Sequence, residues 1–347
     1  MDNEYKKNKK INTSQTFILG IETSCDETAA AVVADGREVL SNIIASSSEY
    51  QARFGGVVPE IAARKHVENI SQVVDMALAK AELSLKDISA IAATAGPGLI
   101  GSLLVGLNYG KALSYGQGLP FIAVNHIDGH IASAYLNTDF SPPFICLMVS
   151  GGHTALVKVK GYNQHICLGA TRDDAVGEAY DKIAGLLGLN YPGGPLLDKM
   201  AQKGEINIDF PKAMLGGSLD FSFSGLKSSV INYLNTAKMK NKDINPANVA
   251  SSFQYAAIDV LVHKTKKALQ QTGLKKLAIA GGVACNSLLR KEMKTYAREQ
   301  NIELQIPEPI LCTDNGAMIA AAGYIDFINK QFSQLNVNAY SNLQHRF

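Results

Sequence analysis

The sequence predicts an α/β protein that is built from two similar lobes. Apolar segments with the length of strands alternate along the chain with segments that have helical spacing, which is the pattern of α/β folds. Two hairpin-like stretches, which begin at residues 17 and 144, share one plan: an apolar strand, a small polar turn and a second apolar strand. A pattern that recurs in this way indicates an internal duplication. The length of 347 residues also fits about two domains.

The first lobe begins with the strand FILGI, the turn ETSCDET and the strand AAAVV. A helix is predicted where apolar residues such as Val67, Ile70 and Val74 recur at helical spacing. A glycine-rich turn then separates a strand from the next helix. The predicted strands of this lobe are 17–21, 29–33, 88–95 and 121–125, and the predicted helices are 66–81 and 102–115.

The second lobe repeats the opening hairpin as FICLMV, SGGHT and ALVKV. A long periodic stretch that is closed by Gly273 predicts a helix, since glycine is common just after a helix end. The predicted strands are 144–149, 155–159, 277–280 and 302–306, and the predicted helices are 174–187, 248–270, 287–300 and about 314–330. Two lobes of this kind would place their two hairpin turns on opposite sides of a cleft.

These elements divide the chain into five parts. The polar N-terminal stretch is expected to be a disordered tail, and the Asn- and Gln-rich C-terminal stretch is expected to fray. The predicted parts are a tail at 1–16, an N-terminal lobe at 17–125, a C-terminal lobe with a helical insertion at 126–313, a final helix at 314–330 that packs back on the lobes, and a tail at 331–347.

Composition favours a soluble, cytoplasmic protein with no membrane partner. No apolar stretch approaches the roughly 20 residues needed to cross a bilayer, and the N-terminus has no apolar signal region. The five cysteines are scattered without a CxxC pair, so neither a disulfide framework nor a zinc knuckle is indicated. The 33 basic and 31 acidic side chains nearly balance, and short basic clusters permit an RNA partner without requiring one.

The motif HIDGH, residues 126–130, predicts a metal site. His126 and His130 are four residues apart, so on a helix both imidazoles lie on one face and can share one ion. The motif of zinc proteases is not met, because Ile127 stands where that motif needs a glutamate base. Two histidines leave the site short of ligands, and Asp314 in CTDNG is the best candidate for a third. Asp314 could equally be the N-cap of the last helix, and spacing does not decide between the two roles.

Glycine-rich turns predict a nucleotide site. Backbone N–H groups in such turns can approach a phosphate closely, and a following helix adds its dipole. Three turns of this kind are Ser150–Thr154, Gly281–Asn286 and Pro192–Pro195. A fourth, Gly96–Gly101, matches GxGxxG but lacks the acidic residue expected about 20 residues later, so we interpret it as a close-packed strand–helix turn.

Three acidic side chains each have two interpretations. Asp181 lies off the apolar stripe of its helix, so it could accept hydrogen bonds from ligand hydroxyls or simply be solvated. Asp26 and Glu27, in the first hairpin turn, could hold a metal-bound water or position a phosphate. They could equally serve to form the turn, in which Asp is common.

Taken together, these residues resemble the TsaD family (formerly Gcp), the tRNA N6-adenosine threonylcarbamoyltransferases. The resemblance extends from about residue 17 to residue 325, and its segment GGVVPEIAARKH looks like the bacterial and organellar branch. Other matching segments are GIETSCDETAAAVV, AGPGLIGSLLVG, NHIDGH, VSGGHTALV, FSFSGLK, AGGVACN and CTDNGAMIAAAG.

The resemblance implies a two-lobed, actin-like and Hsp70-like ATPase fold and a set of site residues. His126, His130 and Asp314 would bind one divalent metal ion per subunit, usually iron and sometimes zinc. Met148 departs from the more usual leucine. An adenine nucleotide, threonylcarbamoyl-AMP or ATP, would be bound by Met148, Val149, Ser150, Gly151, Gly152, Asp181, Gly194, Asp198 and Asn286.

The implied reaction is the transfer of a threonylcarbamoyl group to tRNA. The donor would be threonylcarbamoyl-AMP, and the acceptor would be N6 of the adenosine 3′ to the anticodon in tRNAs that read codons beginning with A (t6A synthesis). AMP would leave, and the sequence names no general base. The implied partners are tRNA and TsaB-like and TsaE-like proteins.

Three other functions compete with this transferase. A metalloendopeptidase is disfavoured by the missing glutamate. A carbohydrate-kinase-like or chaperone-like ATPase would share the fold, but such proteins usually carry Asp-x-Gly-Thr where this chain has Gly20-Ile21-Glu22-Thr23. A non-catalytic scaffold is the weakest alternative.

Overall fold

The computed structural model describes residues 15–213 and 216–342. It contains two five-stranded mixed sheets with helices around them, which confirms the predicted α/β class with two lobes. Most of the predicted N-terminal tail, residues 1–14, lies outside the described residues. In the part of the chain that is described, no helix combines the length and the apolar character that a bilayer-spanning segment needs.

The first sheet has the strand order β3-β2-β1-β4-β5. Its strands are β1 (Phe17–Glu22), β2 (Glu27–Ala34), β3 (Glu38–Ser46), β4 (Ala90–Gly96) and β5 (Phe121–Asn125). β1 and β2 form an antiparallel hairpin, whereas β1, β4 and β5 run parallel. The helices between them are α1 (Ser48–Ala52), α2 (Pro59–Lys80) and α3 (Ile100–Gln117). Because helices pack on both faces of this sheet, β1 is buried along its whole length and is apolar almost throughout.

The second sheet has the order β10-β9-β6-β7-β8. Its strands are β6 (Phe144–Val149), β7 (Thr154–Gly161), β8 (Gln164–Ala170), β9 (Lys276–Ala280) and β10 (Glu303–Gln305). The remaining helices are α4 (His126–Ala132), α5 (Val176–Leu186), α6 (Gly193–Ala201), α7 (Ser224–Met239), α8 (Pro246–Thr272), α9 (Ser287–Gln300), α10 (Pro309–Cys312) and α11 (Gly316–Ile328).

The two sheets share one topology. In each, a hairpin is extended by a third antiparallel strand on one side and by two parallel strands on the other. β6 therefore corresponds to β1, and β9 corresponds to β4. The predicted duplication is confirmed, and the hairpin turns that follow β1 and β6 occupy equivalent places.

Among the described residues, six strands and helices are not predicted by the sequence pattern, namely β3, β8, α1, α6, α7 and α10. β3 and β8 are edge strands whose residues are mostly half-exposed, so they lack a sustained apolar run. Helix α2 begins at Pro59 rather than at residue 66, because proline lacks an N–H and is tolerated in the first helical turn. Helix α11 begins at Gly316 rather than at 314.

Helix α11 lies between the two sheets and shares a core with both. Its buried residues cluster with Ile18 of the first sheet and with Cys146 and Met148 of the second. A Cβ atom on Gly20 would lie 2.2 Å from the carbonyl oxygen of Gly316, so these glycines let α11 approach the backbone of β1. The segment that precedes α11 is thereby held at the junction of the lobes.

The expectation that the C-terminal tail frays is wrong for residues 331–342. The N–H of Ser333 donates to the carbonyl of Phe121 at 2.8 Å, on the free edge of β5. The N–H of Tyr340 donates to the carbonyl of Ala95 at 2.9 Å. Polar composition predicts disorder only where the backbone finds no partner, and here the unpaired sheet edge supplies one.

Candidate metal and nucleotide site

His126, His130 and Asp314 lie together at the junction of the lobes. The Oδ1 atom of Asp314 is 3.3 Å from His130 Nε2 and 3.6 Å from His126 Nε2. One ligand atom from each residue lies within 4.8 Å of the other two. Both histidines are buried, and the Asp314 side chain is 20% exposed. The three residues are therefore close enough to share a single ion.

Helix α4 presents the two histidines because it begins at His126 itself. The side chain of Asn125 caps the helix by accepting the N–H of Ile127 at 2.8 Å. His130 follows one turn later, so both imidazoles lie on one face, and their ring centroids are 4.6 Å apart. Ile127 is fully buried in the core and cannot act as a catalytic base.

Asp314 is free to face the histidines because the neighbouring residue caps the last helix. The Asn315 side chain accepts the N–H of Met318 at 3.0 Å, which makes Asn315 the N-cap of α11. A Cβ on Gly129 would lie 2.8 Å from Ile319 Cδ1. Glycine there lets α4 pack closely against α11 and brings the carboxylate to the histidine pair.

A buried carboxylate, Glu22, holds His126 from behind. Its Oε2 atom lies 3.0 Å from His126 Nδ1 and also accepts the Thr94 hydroxyl at 2.7 Å. Ser24 Oγ lies 3.2 Å from the same histidine nitrogen. Burial lowers the pKa of His126, but the charges of Asp314 and Glu22 outweigh it and raise that pKa to about 9. In the metal-free protein His126 is therefore protonated at neutral pH.

The residues present fit a divalent metal ion. The His130 ring is fully buried, and apart from Asp314 Oδ1, 3.3 Å from its Nε2 atom, it has no hydrogen-bond partner among the described residues. A buried imidazole with so few partners is costly, and a metal ion shared with Asp314 would satisfy it. Burial raises the pKa of Asp314, but the nearby histidines hold it well below its usual range, so the carboxylate is ionised. Two imidazoles and one carboxylate suit zinc and iron alike.

Helices α2 and α3 fix the first hairpin turn, which runs from residue 22 to 27. The Thr23 hydroxyl donates to the carbonyl of Ser102 at 2.8 Å. The buried His66 lies between two groups of the hairpin, with Nδ1 2.8 Å from Thr28 Oγ1 and Nε2 3.0 Å from the Cys25 carbonyl. The first turn is thus held by a side chain of α2 and by a backbone carbonyl of α3.

Asp26 and Glu27 bring two acidic side chains to the same place. The hydroxyl of Tyr191, in the second lobe, donates to Asp26 Oδ2 at 3.3 Å, so Asp26 links the lobes as well as forming the turn. Burial, followed by the charges of Asp26 and Asp314, raises the pKa of Glu27 well above its usual value. These two carboxylates therefore face the cleft from the first lobe.

The second hairpin turn is built from backbone. The N–H of Ser150 donates to the carbonyl of His153 at 2.8 Å, and the N–H of His153 donates to Ser150 Oγ at 3.2 Å. A Cβ added at Gly151 or Gly152 would meet no described atom within 4 Å. The His153 ring centroid lies 6.4 Å from that of His126. This turn therefore leaves open space beside the histidine pair.

A glycine supports each hairpin turn from below. A Cβ on Gly98 would lie 2.6 Å from the Ser24 carbonyl oxygen, which shows that the GxGxxG match is a close-packed turn. A Cβ on Gly281 would lie 2.3 Å from the Val149 carbonyl oxygen, and its φ of +93° also requires glycine. The first glycine of AGGVACN thus serves packing.

The prediction that Pro192–Pro195 supplies amides to a phosphate is wrong. Asp181 Oδ1 already accepts the N–H of Gly193 at 2.9 Å and that of Gly194 at 3.1 Å. A carboxylate of the chain itself therefore occupies the position of an anion, and one Asp181 oxygen is committed to this loop. Burial raises the pKa of Asp181, although these hydrogen bonds oppose the change. The open side of Gly194 is still accessible, since no described atom lies within 4 Å of a Cβ placed there.

Asp198 and Asn286 belong to one polar network under the second lobe. Asp198 Oδ1 accepts the Ser287 hydroxyl at 2.7 Å. Asn286 caps α9 by accepting the N–H of Leu289 at 3.0 Å, and its Nδ2 donates to Gln254 Oε1 at 2.8 Å. Gln254 Nε2 in turn donates to Asp198 Oδ1 at 3.0 Å. The network fixes both predicted residues.

Met148 and Val149 lie in β6, and their side chains are buried in the two faces of the second sheet. Met148 is paired with Ala155 on one side and with Ala280 on the other. Contact with a ligand would come from the end of the strand, where Ser150 begins the turn.

Sequence reasoning missed two residues of the site, Glu22 and Gln254. The signal for Glu22 is an acidic residue at the end of an otherwise apolar strand. The signal for Gln254 is a polar side chain that is 4% exposed on the buried face of a long helix. Each makes its contacts far along the chain, which no local pattern reveals.

The fold places the protein in a class: it is a two-lobed α/β protein with the actin-like ATPase fold. Component A of the (R)-2-hydroxyglutaryl-CoA dehydratase of Acidaminococcus fermentans is 13% identical with a TM-score of 0.54, covering 89% of this chain and 98% of its own. HypF of T. kodakarensis is 16% identical with a TM-score of 0.62, covering 93% of this chain and 49% of its own. At these identities the likeness concerns the fold alone.

Sequence comparison gives the family. The family model TsaD, "tRNA N6-adenosine threonylcarbamoyltransferase", matches residues 38–321. Proteins of that name from Clostridium kluyveri and Clostridium beijerinckii are 55% and 54% identical, over 94% of this chain and 97% and 98% of theirs. The chain belongs to the TsaD family of tRNA N6-adenosine threonylcarbamoyltransferases, of the bacterial type. It is accordingly a transferase of tRNA modification that acts in t6A synthesis.

Proposed function

We propose that this enzyme transfers the threonylcarbamoyl group of threonylcarbamoyl-AMP to N6 of the adenosine 3′ to the anticodon, at a site between the two hairpin turns. The observation that carries this proposal is the meeting of a buried metal-ligand triad with an open glycine turn. The triad lies at the junction of the lobes, and the second hairpin turn lies beside it, with open space next to Gly151 and Gly152. A mixed anhydride of a carbamic acid and a phosphate needs both kinds of recognition.

His126, His130 and Asp314 would hold one divalent ion, iron or zinc. When bound, such an ion supplies Lewis acidity for the charge that develops on carbonyl or phosphate oxygens. The chain contributes orientation: with its Nδ1 atom bonded to Glu22, His126 presents Nε2 to the ligand position. The buried ring of His130 has no hydrogen-bond partner among the described residues other than Asp314, the proposed third ligand.

The nucleotide would lie against the second lobe. Met148, Val149 and Ser150 end the central strand, and the backbone of Gly151 and Gly152 would bind the phosphate of the donor. Asp181, Gly194, Asp198 and Asn286 would line the remainder of the site. The network through Gln254 holds Asp198 and Asn286 before the ligand arrives, so less ordering is needed on binding.

Rate enhancement would then come mainly from placement. The N6 amine of adenosine needs no strong activation if it is held close to the donor carbonyl. Tyr191 and Asp26 join the lobes beside this place, and their contact would exclude water from the donor. AMP would remain on the glycine turn after the acyl group has left.

The enzyme would act in the cytoplasm with tRNA and with TsaB-like and TsaE-like proteins. Three apolar side chains on the outer surface of α2 and α3 support a protein partner: Val67 is 66% exposed, Ile100 is 48% and Leu104 is 37%. Ile100 and Leu104 are four residues apart and so lie on one face. Exposed apolar groups of this kind are typical of protein interfaces.

The test is nucleoside mass spectrometry of tRNA after incubation with the metal-loaded enzyme, its partners and threonylcarbamoyl-AMP. We expect threonylcarbamoyladenosine in a tRNA that reads a codon beginning with A, and none in the same tRNA with guanosine in place of the target adenosine. Equal modification of both tRNAs, or of neither, would contradict the proposal. A peptidase function has no support, because Ile127 is buried where the base would be needed.

A further inference from the structure

Cys285 and Cys312 form a thiol pair beside the site that the proposed function does not use. Both cysteines are free; Cys285 is half-buried and Cys312 is buried. The Cys285 thiol lies 3.9 Å from the carbonyl oxygen of Pro309, the first residue of α10, and the Cys312 thiol lies 3.3 Å from that of Pro307, so both thiols lie against the same segment. The pair joins two segments, because Cys285 ends the turn at 282–285 and Cys312 ends α10.

A guanidinium group lies against this pair. Arg290 Nη2 is 3.6 Å from Cys312 Sγ, and the same side chain is fixed by the carbonyls of Ala284 at 2.6 Å and Pro307 at 3.1 Å. The hydrogen bond from Cys312 and the charge of Arg290 lower the pKa of Cys285 to about 7, although burial opposes them. A fixed cation beside a partly accessible thiol is the environment of a reactive cysteine.

The other three cysteines lack this environment. Burial raises the pKa of Cys146 to about 12, and burial also raises the pKa of Cys25 and of Cys167. Cys285 is therefore the cysteine at which the chain favours a thiolate, because Arg290 and the neighbouring Cys312 lower its pKa.

We propose that Cys285 and Cys312 are a reversible oxidation site, at which a hydroperoxide converts the two thiols to a disulfide. The bond would join the turn that carries Asn286 to the segment that carries Asp314. Oxidation would thus leave a covalent link between the nucleotide side and the metal side of the site.

The chemistry balances with one peroxide. The Cys285 thiolate attacks one peroxide oxygen, the O–O bond breaks, and the departing hydroxide takes a proton to become water. The Cys285 sulfenic acid is then attacked by the sulfur of Cys312, so that the S–S bond forms and the S–O bond breaks. The thiol proton of Cys312 leaves with that oxygen as a second water. A dithiol reductant reverses the sequence.

The test uses the full-length, metal-loaded protein treated with a small excess of hydrogen peroxide, after which free thiols are blocked and peptides are mapped by mass spectrometry. We expect one linked peptide pair joining Cys285 to Cys312, lighter than the reduced pair by about 2 Da, and its disappearance with dithiothreitol. Cys285→Ser should abolish the link, and the matched variant Cys167→Ser should retain it.

A second measurement on the unsubstituted protein keeps the test valid if Cys285→Ser does not fold. At pH 7 the larger thiolate fraction of Cys285, partly offset by its lower nucleophilicity, should make it react about fivefold faster than the half-buried Cys167. Oxidation of Cys285 to the sulfinic acid with Cys312 still free would overturn the proposal. So would equal oxidation rates at Cys285 and Cys167.

Discussion

The two hairpin turns occupy equivalent places in the duplicated lobes, yet the first presents side chains and the second presents mainly backbone. The first turn carries buried side chains, among them Glu22 against His126, and helices on one face of its sheet fix it. The second turn buries only the short side chains of Ser150 and Thr154, and Gly151 and Gly152 expose its backbone to open space. One backbone plan can therefore supply carboxylates on one side of a cleft and amide groups on the other.

The glycines that pack beneath the two turns, unlike the turns themselves, make the same kind of contact in both lobes. Gly98 packs on the carbonyl of Ser24, and Gly281 packs on the carbonyl of Val149. Both contacts bring backbone against backbone, where any Cβ would clash. The lobes thus keep the shared scaffold and differ in what the turn presents, so substitutions in the two turns should separate metal binding from nucleotide binding.

The largest effect is expected at the metal triad. His130→Ala should lower bound metal from about one equivalent per chain to background, because the remaining two ligands cannot hold an ion tightly. Elemental analysis of the purified protein measures this. His263→Ala, at an exposed histidine, is the control and should keep its metal. A full equivalent in His130→Ala would reject the assignment.

The charged groups around His126, beside the first turn, should make the stability of the metal-free protein depend on pH. The pKa of His126 is about 9 in the folded state, above its unfolded value, so the folded protein binds this proton more tightly. The proton on His126 adds roughly 3 kcal/mol to the free energy of unfolding below about pH 6.5, and this stabilisation is lost as the pH rises towards 9. Urea unfolding with a chelator present, compared between the natural protein and His126→Ala, measures it. Ser150→Ala in the second turn should not alter this dependence.

Glu22→Gln should weaken metal binding by about 10- to 100-fold, because the amide orients His126 less well than a carboxylate does. Nucleotide affinity should stay unchanged, since Glu22 lies behind the histidine and away from the glycine turn. Competition with a chelator gives the first quantity and titration with ADP the second. Glu49→Gln, at an exposed position, is the matched control. An equal loss of affinity for the metal and for ADP would contradict the separate roles of the two turns.

The smallest effect is expected from Gly152→Ala. Its methyl group would point into space that the nucleotide needs, so the dissociation constant for ADP should rise about tenfold, or about 1.4 kcal/mol. The free energy of unfolding should change by less than about 0.5 kcal/mol, because no described atom is displaced. Gly116→Ala, in α3, is a control with equally open surroundings. Unchanged ADP binding would show that the second turn does not hold the phosphate.

Local sequence patterns predicted the site residues that are close together in the sequence. They missed the contacts between residues that are far apart in the sequence. The spacing of His126 and His130 predicts a shared helical face, which is what α4 provides. Spacing could not show that Asn315 rather than Asp314 caps α11, because both residue types are good caps. The contact of Glu22 with His126 spans 104 positions along the chain, so only the folded arrangement of β1 and α4 reveals it.

Helix α11 and the segment at 331–342 pack on the lobe that is synthesised first, although they are synthesised after the second lobe. Until they emerge, the free edge of β5 and one face of β1 have no cover. Asp314, the third residue of the proposed metal triad, directly precedes α11. The triad can therefore form only after the second lobe has been synthesised.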